Sequence, residues 1–257
     1  MKPVMLLVDA DSYVMAACSL TAEHDDEGNR INPLFSEDLE DSNLKFDNLI
    51  QNLVNTFEDM GVDCSYMLFL EGNGNVRKSL STDYKISRKK RPQPPLRADI
   101  KNYALSNYVS YEAINVETDD VISATWHTYH KEIDLIICSP DKDLTQLPCS
   151  YYDTYWNRED DKRMFSISEN QAQINFWRLV LMADAGDDVK GVKGIGKKKA
   201  EAILPDSLSS SFAGGRVYRQ YLNAYGLSRG AREFWRSYHL IKLPERGITI
   251  PDLTLFV

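Results

Sequence analysis

The chain has 257 residues, of which 43% are hydrophobic and 26% are charged, and its formal net charge is −8. This composition is that of a globular protein with one large domain, or with one domain and a small companion. Its apolar runs are far shorter than the roughly 20 residues that cross a bilayer, so we expect no membrane span. Four cysteines without a close pair, and an N-terminus that does not resemble a secretory signal, predict reduced thiols in a cytoplasmic protein.

The charges are distributed unevenly along the chain. Residues 21–59 carry 11 acidic and two basic residues, whereas residues 77–101 carry nine basic and two acidic ones. Residues 190–199 add five lysines and no acid. The net charge alone argues mildly against a nucleic-acid partner. The basic stretches can nevertheless meet a polyanion while the acids lie elsewhere or bind metal.

Short apolar runs alternate with helix-like stretches over most of the chain. The runs that predict strands are residues 4–8, 66–70, 113–116, 133–138 and 151–156. Helical spacing is clearest over 44–60 and after Glu117, and residues 170–257 read mainly as helices before a terminal strand from Leu253 to Val257. Strands that alternate with helices predict an α/β fold, with a mostly parallel central sheet flanked by helices.

Residues 77–97 interrupt this alternation. They contain a dense set of basic side chains, which ends in the run from Arg88 to Arg91 and is followed by three prolines within four residues. Few apolar side chains in this stretch can be buried. We therefore expect a solvated, mobile or arched segment.

Carboxylates follow the apolar runs. Asp9, Glu71, Glu117 and Asp141 each come just after a predicted strand. Further acids flank these positions or follow the apolar stretch 177–182, namely Asp119, Asp120, Asp143, Asp184 and Asp187. Parallel strands end at one edge of a sheet, where ligands bind, and converging carboxylates there must take up protons or a cation. Oxygen ligands favour Mg²⁺ or Mn²⁺, and a pair of such ions is common in phosphoryl chemistry.

A glycine-rich turn leads into a run of lysines. It contains Gly191, Gly194 and Gly196, followed by Lys197, Lys198 and Lys199. The turn nearly matches the P-loop of ATPases, but a lysine replaces the required Ser or Thr and no buried strand precedes it. The alternative is a hairpin of two helices whose turn and helix start contact phosphates. Such a contact recognises DNA without reading its sequence.

With these motifs in order, the chain resembles the 5′-nuclease family of flap endonucleases and phage-type 5′→3′ exonucleases. The resemblance runs from about Val4 to Ala202. It rests on Leu-Val-Asp9-Ala-Asp11, Tyr84-Lys85-x-x-Arg88, Glu117-x-Asp119-Asp120, Asp141-Lys-Asp143, and Asp184-x-x-Asp187 with the glycine turn. It implies a PIN-like catalytic domain over 1–183 with a basic arch near 77–97. Residues 184–257 would form a helix-three-turn-helix region and a tail.

The resemblance also implies roles for the site residues. Asp9, Glu117, Asp119 and Asp141 would hold a first Mg²⁺, directly or through water, and Mn²⁺ would substitute for it. Asp120, Asp143, Asp184 and Asp187 would line a second ion or the shell around it. Lys85 and Arg88 would engage the scissile phosphate at the base of the arch, and Arg77 would also touch phosphate. Glu71 stands where the family usually has Asp, so it is either a direct ligand or a neighbour of the ligands.

The remaining expectations concern DNA. Tyr84 would stack on a base, and Lys89, Lys90, Arg91 and the turn from Gly191 to Lys199 would contact the backbone, with a K⁺ ion at the turn. The implied substrate is DNA with a 5′ end, nick or flap, or an RNA–DNA hybrid, cut by metal-assisted hydrolysis during phage-type replication, recombination or primer removal. The implied enzyme is a monomer that works beside replication proteins.

Two other functions remain open from the sequence. A haloacid-dehalogenase-type phosphatase also begins with a strand and Asp-x-Asp, as in Asp9-Ala-Asp11, and ends with an acidic loop. That reading leaves the motif at Glu117, the basic segment and the lysine turn unexplained. A non-catalytic binder of DNA structures is the second alternative. Clustered carboxylates argue against it, because a protein that only binds DNA gains nothing from anions beside the DNA.

Overall fold

The architecture comes from a computed structural model, which describes residues 2–155, 163–182, 184 and 186–256. Its strands are β1 (Val4–Asp9), β2 (Cys64–Glu71), β3 (Ser110–Ala113), β4 (Asp134–Cys138), β5 (Ser150–Tyr152) and β6 (Met164–Ser166). They form one sheet in the order β3-β2-β1-β4-β5-β6. β1 to β5 run parallel, and β6 pairs antiparallel with β5. The predicted α/β fold with a mostly parallel sheet is confirmed.

Helices cover both faces of the sheet and build a separate C-terminal layer. They are α1 (Asp11–Ala17), α2 (Leu39–Asp59), α3 (Arg77–Leu80), α4 (Arg97–Asn107), α5 (Thr118–Tyr129), α6 (Glu169–Met182), α7 (Lys197–Ile203), α8 (Ala213–Tyr225) and α9 (Leu227–Ile241). Short 3-10 turns lie at Ser87–Lys90, Lys142–Gln146, Ser210–Phe212 and Leu253–Leu255.

The central strand β1 is buried on both faces. Met5 and Leu7 pack toward α5, whereas Leu6 and Val8 pack toward α1, α2 and α4. All four are 0% exposed. Successive side chains of a strand point to opposite faces, so an unbroken apolar run is what a strand covered on both sides requires.

The long helix α2 begins earlier in the chain than its apolar spacing predicts. Phe46, Ile50, Leu53 and Phe57 recur at helical spacing and are buried. The helix nevertheless begins at Leu39, because the carboxylate of Asp38 accepts the Asp41 N–H at 3.0 Å. The acidic residues before the apolar stripe therefore belong to the first turns of the helix.

The C-terminal helices have a core of their own. Residues of α6, α7, α8 and α9 form one buried apolar cluster, which also takes in Tyr84 from the basic segment. The domain boundary predicted at residue 183 comes directly after α6, yet α6 packs in this cluster with the helices that follow it. The division into 1–183 and 184–257 stays a prediction.

Three local expectations are wrong. The strand predicted at 113–116 lies at Ser110–Ala113, because Asn115 adopts a positive φ of 63° and turns the chain away from the sheet. The terminal strand predicted from Leu253 is a 3-10 turn, in which Asp252 accepts the Thr254 N–H at 3.0 Å. The strand predicted over 151–156 ends at Tyr152, and residues 156–162 and Val257 lie outside the described residues.

The segment 77–97 is also less open than predicted. Arg77 and Tyr84 are only 5% and 4% exposed, because both side chains find acidic partners inside the fold. Lys90 and Arg91 are exposed, and the side chain of Lys89 is outside the described part.

All four cysteines are free. Within the described ranges, no helix has both the length and the apolar character needed to cross a membrane.

The contact between α8 and α9 provides a test of this fold. A Cβ added at Gly230 would lie 2.6 Å from the Tyr221 carbonyl oxygen, whereas one at Gly215 would have no described heavy atom within 4 Å. We expect Gly230→Ala to lower the free energy of unfolding by about 1–3 kcal/mol through this clash. Gly215→Ala, the matched control, should raise it by up to about 1 kcal/mol through helix propensity. Urea denaturation measures both, and equal effects of the two changes would contradict the packing.

Candidate active site

The carboxyl ends of the parallel strands meet in a cleft of about 520 Å³. Acidic side chains from strand ends and helix starts line it, together with basic side chains from the segment 77–97. They include Asp9, Asp11, Glu117, Asp119, Asp141, Lys85 and Arg88. This is the edge at which open parallel sheets bind their ligands.

The start of α5 carries the first group of carboxylates. Glu117, Asp119 and Asp120 each offer an oxygen within 4.8 Å of the others, a spacing that can hold a metal ion. Asp120 lies three residues after Glu117 and accepts its backbone N–H at 3.1 Å, which brings both carboxylates to one side of the helix start. The expectation for Asp120, at the second ion or in the shell around it, stays a prediction, and its carboxylate lies with Glu117 and Asp119.

Arg77 neutralises this first group from within. Its guanidinium donates to Glu117 and Asp120 and lies 3.6 Å from Asp119. Asn75 orients the pair, since its amide donates to Glu117 at 2.7 Å and its oxygen accepts the Arg77 N–H at 2.8 Å. The expected contact of Arg77 with phosphate stays a prediction, for a side chain that is only 6% exposed and faces buried carboxylates.

The second group lies between the end of β4 and the loop after α6. Asp143, Asp184 and Asp187 also bring oxygens within 4.8 Å of one another. The ammonium of Lys142 bridges two of them, at 3.1 Å from Asp143 and 2.5 Å from Asp184. Arg88 donates to the third, Asp187. Every acid of this group thus has a cationic partner in the chain.

Tyr84 and Lys85 connect the two groups. The Tyr84 hydroxyl lies 2.8 Å from Glu117 and 3.3 Å from Asp187, and the Lys85 ammonium contacts the same two carboxylates. Lys85 holds a positive φ of 54°, and its N–H donates to the Asp187 carbonyl oxygen at 3.0 Å. The prediction that Tyr84 stacks on a base is not supported, since its ring is enclosed.

Several carboxyl groups are ionised less readily than in water. Burial, followed by the charges of Asp11 and Asp141, raises the pKa of Asp9 to about 7, although Ser139 donates to it at 2.8 Å. Burial, followed by the charge of Asp141, also raises the pKa of Asp143 to about 7. Burial likewise raises the pKa of Asp119, so the cleft is a place where negative charge is costly.

Glu117 and Asp184 behave in the opposite way. Burial acts to raise the pKa of Glu117, but the charges of Lys85 and Arg77 outweigh it and the net shift is downward. Lys142 similarly outweighs burial at Asp184 and lowers its pKa. The chain's own cations therefore keep one carboxylate of each group ionised.

Glu71 lies outside both groups. Its carboxylate is half-exposed and pairs with Arg97 at 2.5 Å. Asp11, which the sequence motif contains but which was not among the expected ligands, occupies the interior position instead. It accepts the Glu71 N–H at 3.0 Å and the Thr118 hydroxyl at 2.7 Å, and so ties the end of β2 to the start of α5. The Asp-x-Asp spacing after β1 was the signal for it.

The donor set suits a hard divalent cation. All six members of the two groups supply carboxylate oxygens, which Mg²⁺ and Mn²⁺ prefer. Oδ1 of Asp119 is buried and, although the Arg77 guanidinium lies 3.6 Å away, accepts no hydrogen bond within the described part of the chain. A buried acceptor without a donor is unfavourable, and a cation would satisfy it.

The glycine turn and its lysines lie beside the second group. The turn follows α6, whereas a P-loop follows a strand, so the turn is not a P-loop. Gly194 has a positive φ of 80° and accepts the Lys199 ammonium at 2.8 Å on its carbonyl oxygen. Gly194, Gly196, Lys197, Lys198 and Lys199 are exposed, whereas Gly191 is buried.

A family model described as the N-terminal, resolvase-like domain of 5′-3′ exonucleases matches residues 5–174. The chain belongs to this 5′-3′ exonuclease family. It is 32% identical to the flap endonuclease Xni of Shewanella pealeana over 160 residues, which are 58% of this chain and 57% of that protein. It is 30% identical to Xni of Shewanella piezotolerans over 190 residues, 67% of this chain and 69% of that protein.

A similar solved structure is a bacteriophage T5 flap endonuclease in complex with DNA and metal ions. The superposition has a TM-score of 0.65 at 15% identity, and covers 93% of this chain and 89% of the phage protein. At that identity the likeness shows the fold. This exonuclease-family chain thus shares the T5 enzyme's architecture through both the sheet and the C-terminal helices.

Arg77 gives a stability test of the first group. Removing one partner of a buried ion pair leaves its carboxylates uncompensated, so we expect Arg77→Met to lower the free energy of unfolding by about 3–5 kcal/mol. Arg97→Met, which breaks the exposed pair with Glu71, should change it by less than about 1 kcal/mol. Adding Asp120→Asn to Arg77→Met should restore part of the loss. Urea unfolding of the three variants in EDTA measures these free energies. Similar small losses of stability for Arg77→Met and Arg97→Met would refute the buried network.

The raised pKa values predict a pH dependence without metal. Asp9 and Asp143 ionise at about pH 7 when folded but near pH 4 when unfolded, so the unfolded chain binds fewer protons between these values. Stability in EDTA should therefore fall from pH 6.5 to 8, by about 1 kcal/mol for each group. The lowered pKa of His127 acts in the opposite direction, mostly below pH 6.5.

Saturating Mg²⁺ should flatten this dependence, because a bound cation stabilises the ionised carboxylates. Glu117 and Asp184, whose pKa values are lowered, stay ionised throughout the window and contribute no slope. Urea unfolding at several pH values, with EDTA or Mg²⁺, measures the effect. A stability in EDTA that rises steadily from pH 6.5 to 8 would contradict the electrostatics of the cleft.

Proposed function

We propose that this chain is a divalent-metal-dependent 5′ nuclease, which hydrolyses phosphodiester bonds at DNA 5′ ends, nicks or flaps. One observation carries the proposal. The first and second groups of acids, each with a spacing that can hold a metal ion, lie beside Lys85 and Arg88 at the ligand-binding edge of the sheet. The names of the Xni relatives and of the T5 structure support the same activity.

The residues that would hold the cation are those of the two groups together with Asp9 and Asp141. We propose Mg²⁺, with Mn²⁺ as a substitute, and two ions in the loaded enzyme. A bound ion of this kind supplies Lewis-acid chemistry, because it activates a water and stabilises charge on the phosphate. Asp141 is included because it lines the same cleft and its carboxylate accepts the Asp143 N–H at 2.9 Å.

Lys85 and Arg88 would bind the transferring phosphate. Burial acts to lower the pKa of Lys85, but Glu117 and Asp187 outweigh it and the pKa rises, so the side chain is an ammonium at neutral pH. Tyr84 orients both carboxylates from the other side, at 2.8 Å from Glu117 and 3.3 Å from Asp187. Fixed cations aimed at the phosphate stabilise the charge that develops there.

The glycine turn would hold the duplex next to the cleft. Lys197, Lys198 and Lys199 are exposed in the first turn of α7, where they can contact phosphates. A K⁺ ion at this turn, a contact from Lys90 and Arg91, and an RNA–DNA hybrid as an alternative substrate remain part of the proposal. Action as a monomer, beside replication proteins in phage-type replication, recombination or primer removal, stays a prediction.

Cleavage by ligand variants tests the proposal. Asp141→Asn and Asp187→Asn should lose about two orders of magnitude or more of Mg²⁺-dependent cleavage, because each weakens the grip on a cation that stabilises the transition state. Both should still bind duplex ends. Glu71→Gln, the matched control with an exposed carboxylate, should keep most of its activity.

End-labelled blunt, nicked, flapped and RNA-primed duplexes are the substrates, each with Mg²⁺ or EDTA. Full activity of Asp141→Asn or Asp187→Asn would remove that residue from the metal site. Hydrolysis of a small aryl phosphate without DNA cleavage would favour the phosphatase alternative. Binding of DNA without any cleavage in Mg²⁺ would favour the non-catalytic binder.

A further inference from the structure

A second cleft, separate from the acidic one, opens between the basic segment and the glycine turn. It encloses about 970 Å³. The turn from Gly191 to Gly196 lines it, together with Tyr225 and Arg229 from the corner between α8 and α9. This corner lies beyond residue 174, where the match to the family ends.

The corner is built by a single residue between two helices. α8 ends at Tyr225 and α9 begins at Leu227, and Gly226 between them has a positive φ of 78°. Glycine adopts that conformation without a steric cost, so the chain reverses within one residue. The reversal brings Tyr225 and Arg229 together on the side that faces the turn.

Tyr225 braces the glycine turn directly. Its hydroxyl donates to the Gly191 carbonyl oxygen at 3.0 Å and accepts the Lys193 N–H at 3.0 Å. One side chain thus fixes two backbone groups of the turn, two residues apart. Loss of the hydroxyl would leave both groups without this partner.

Arg229 is held over the Tyr225 ring with its charge facing solvent. The guanidinium carbon lies 5.2 Å from the ring centroid, and the side chain is 65% exposed. Its ion pair with Glu233 uses Nε at 4.0 Å, the outer limit for such a pair. Stacking on an aromatic ring orients the planar guanidinium, which reduces the entropy lost when it binds a phosphate.

The charge around the cleft favours an anion. Lys190, Lys193 and Arg229 line it, against Asp83 and Asp188. Both acids already have partners, since Asp188 accepts the Ser87 N–H at 2.8 Å and Asp83 lies 3.8 Å from Arg236. Three cations thus line the cleft against two carboxylates, and one of these, Asp83, lies near a further cation.

We propose that Arg229, carried on Tyr225, is a contact for the phosphate backbone of duplex DNA that extends the binding surface from the glycine turn to the corner of α8 and α9. The inference rests on the proposed function, because it assumes that the turn binds DNA. Arg229 contacts the substrate, whereas Tyr225 is a positioning residue that acts through the turn.

Binding of a fluorescently labelled blunt duplex in EDTA, over a series of salt concentrations, tests this. Arg229→Gln should weaken binding about fivefold to tenfold and reduce the slope of log Kd against log salt by about one, since one phosphate contact is lost. Tyr225→Phe should weaken binding about threefold with an unchanged slope, because no charge is removed. Arg219→Gln is the matched control, since Arg219 is exposed on α8 and lines a different pocket.

Each outcome bears on one claim. Arg229→Gln and Arg219→Gln with equal affinities and equal salt slopes would overturn the role of Arg229. Tyr225→Phe with wild-type affinity would overturn the positioning role. An unfolding midpoint for Arg229→Gln equal to that of the wild type shows that the loss is not structural. A wild-type chain that binds no duplex would instead refute the proposed function, which keeps the two failures apart.

Discussion

Repulsion among carboxylates is the constraint around which this fold is arranged. Parallel strands bring their acidic ends to one edge, and two groups of three acids have oxygens within 4.8 Å of one another. Without compensation such groups would take up protons or push the sheet edge apart. The chain supplies its own compensation, with Arg77 inside the first group and Lys142 bridging the second.

This compensation explains why the basic segment is ordered where it meets the acids and exposed where it does not. Arg77, Tyr84 and Lys85 come from the first part of the segment, and all three contact Glu117. Lys90 and Arg91, a few residues later, are exposed. Burial of an arginine is tolerated only when carboxylates surround it, so the acids order the segment as much as the segment neutralises the acids.

Much of the sheet was predictable because its central strands are unbroken apolar runs, and a strand covered on both faces needs such a run. β3 was misplaced because an edge strand of mixed polarity, Ser-Tyr-Glu-Ala, lacks that signal. The carboxylates that converge were predictable from their positions after the strands. The burial of Arg77, the pairing of Glu71 with Arg97 and the interior place of Asp11 were not, since each depends on a partner far away in the sequence.

The Lys85 ammonium is partnered by Glu117 and Asp187, which compete with a phosphate for its three donors. Glu117 and Asp187 belong to the two groups of acids whose oxygens the proposed cations would use. Occupation of those oxygens by a cation would free the ammonium, and a phosphate nearby would give it a new partner. Loading of the ion and capture of the substrate should therefore reinforce each other, and this reciprocity is a thermodynamic necessity wherever one event changes the affinity for the other.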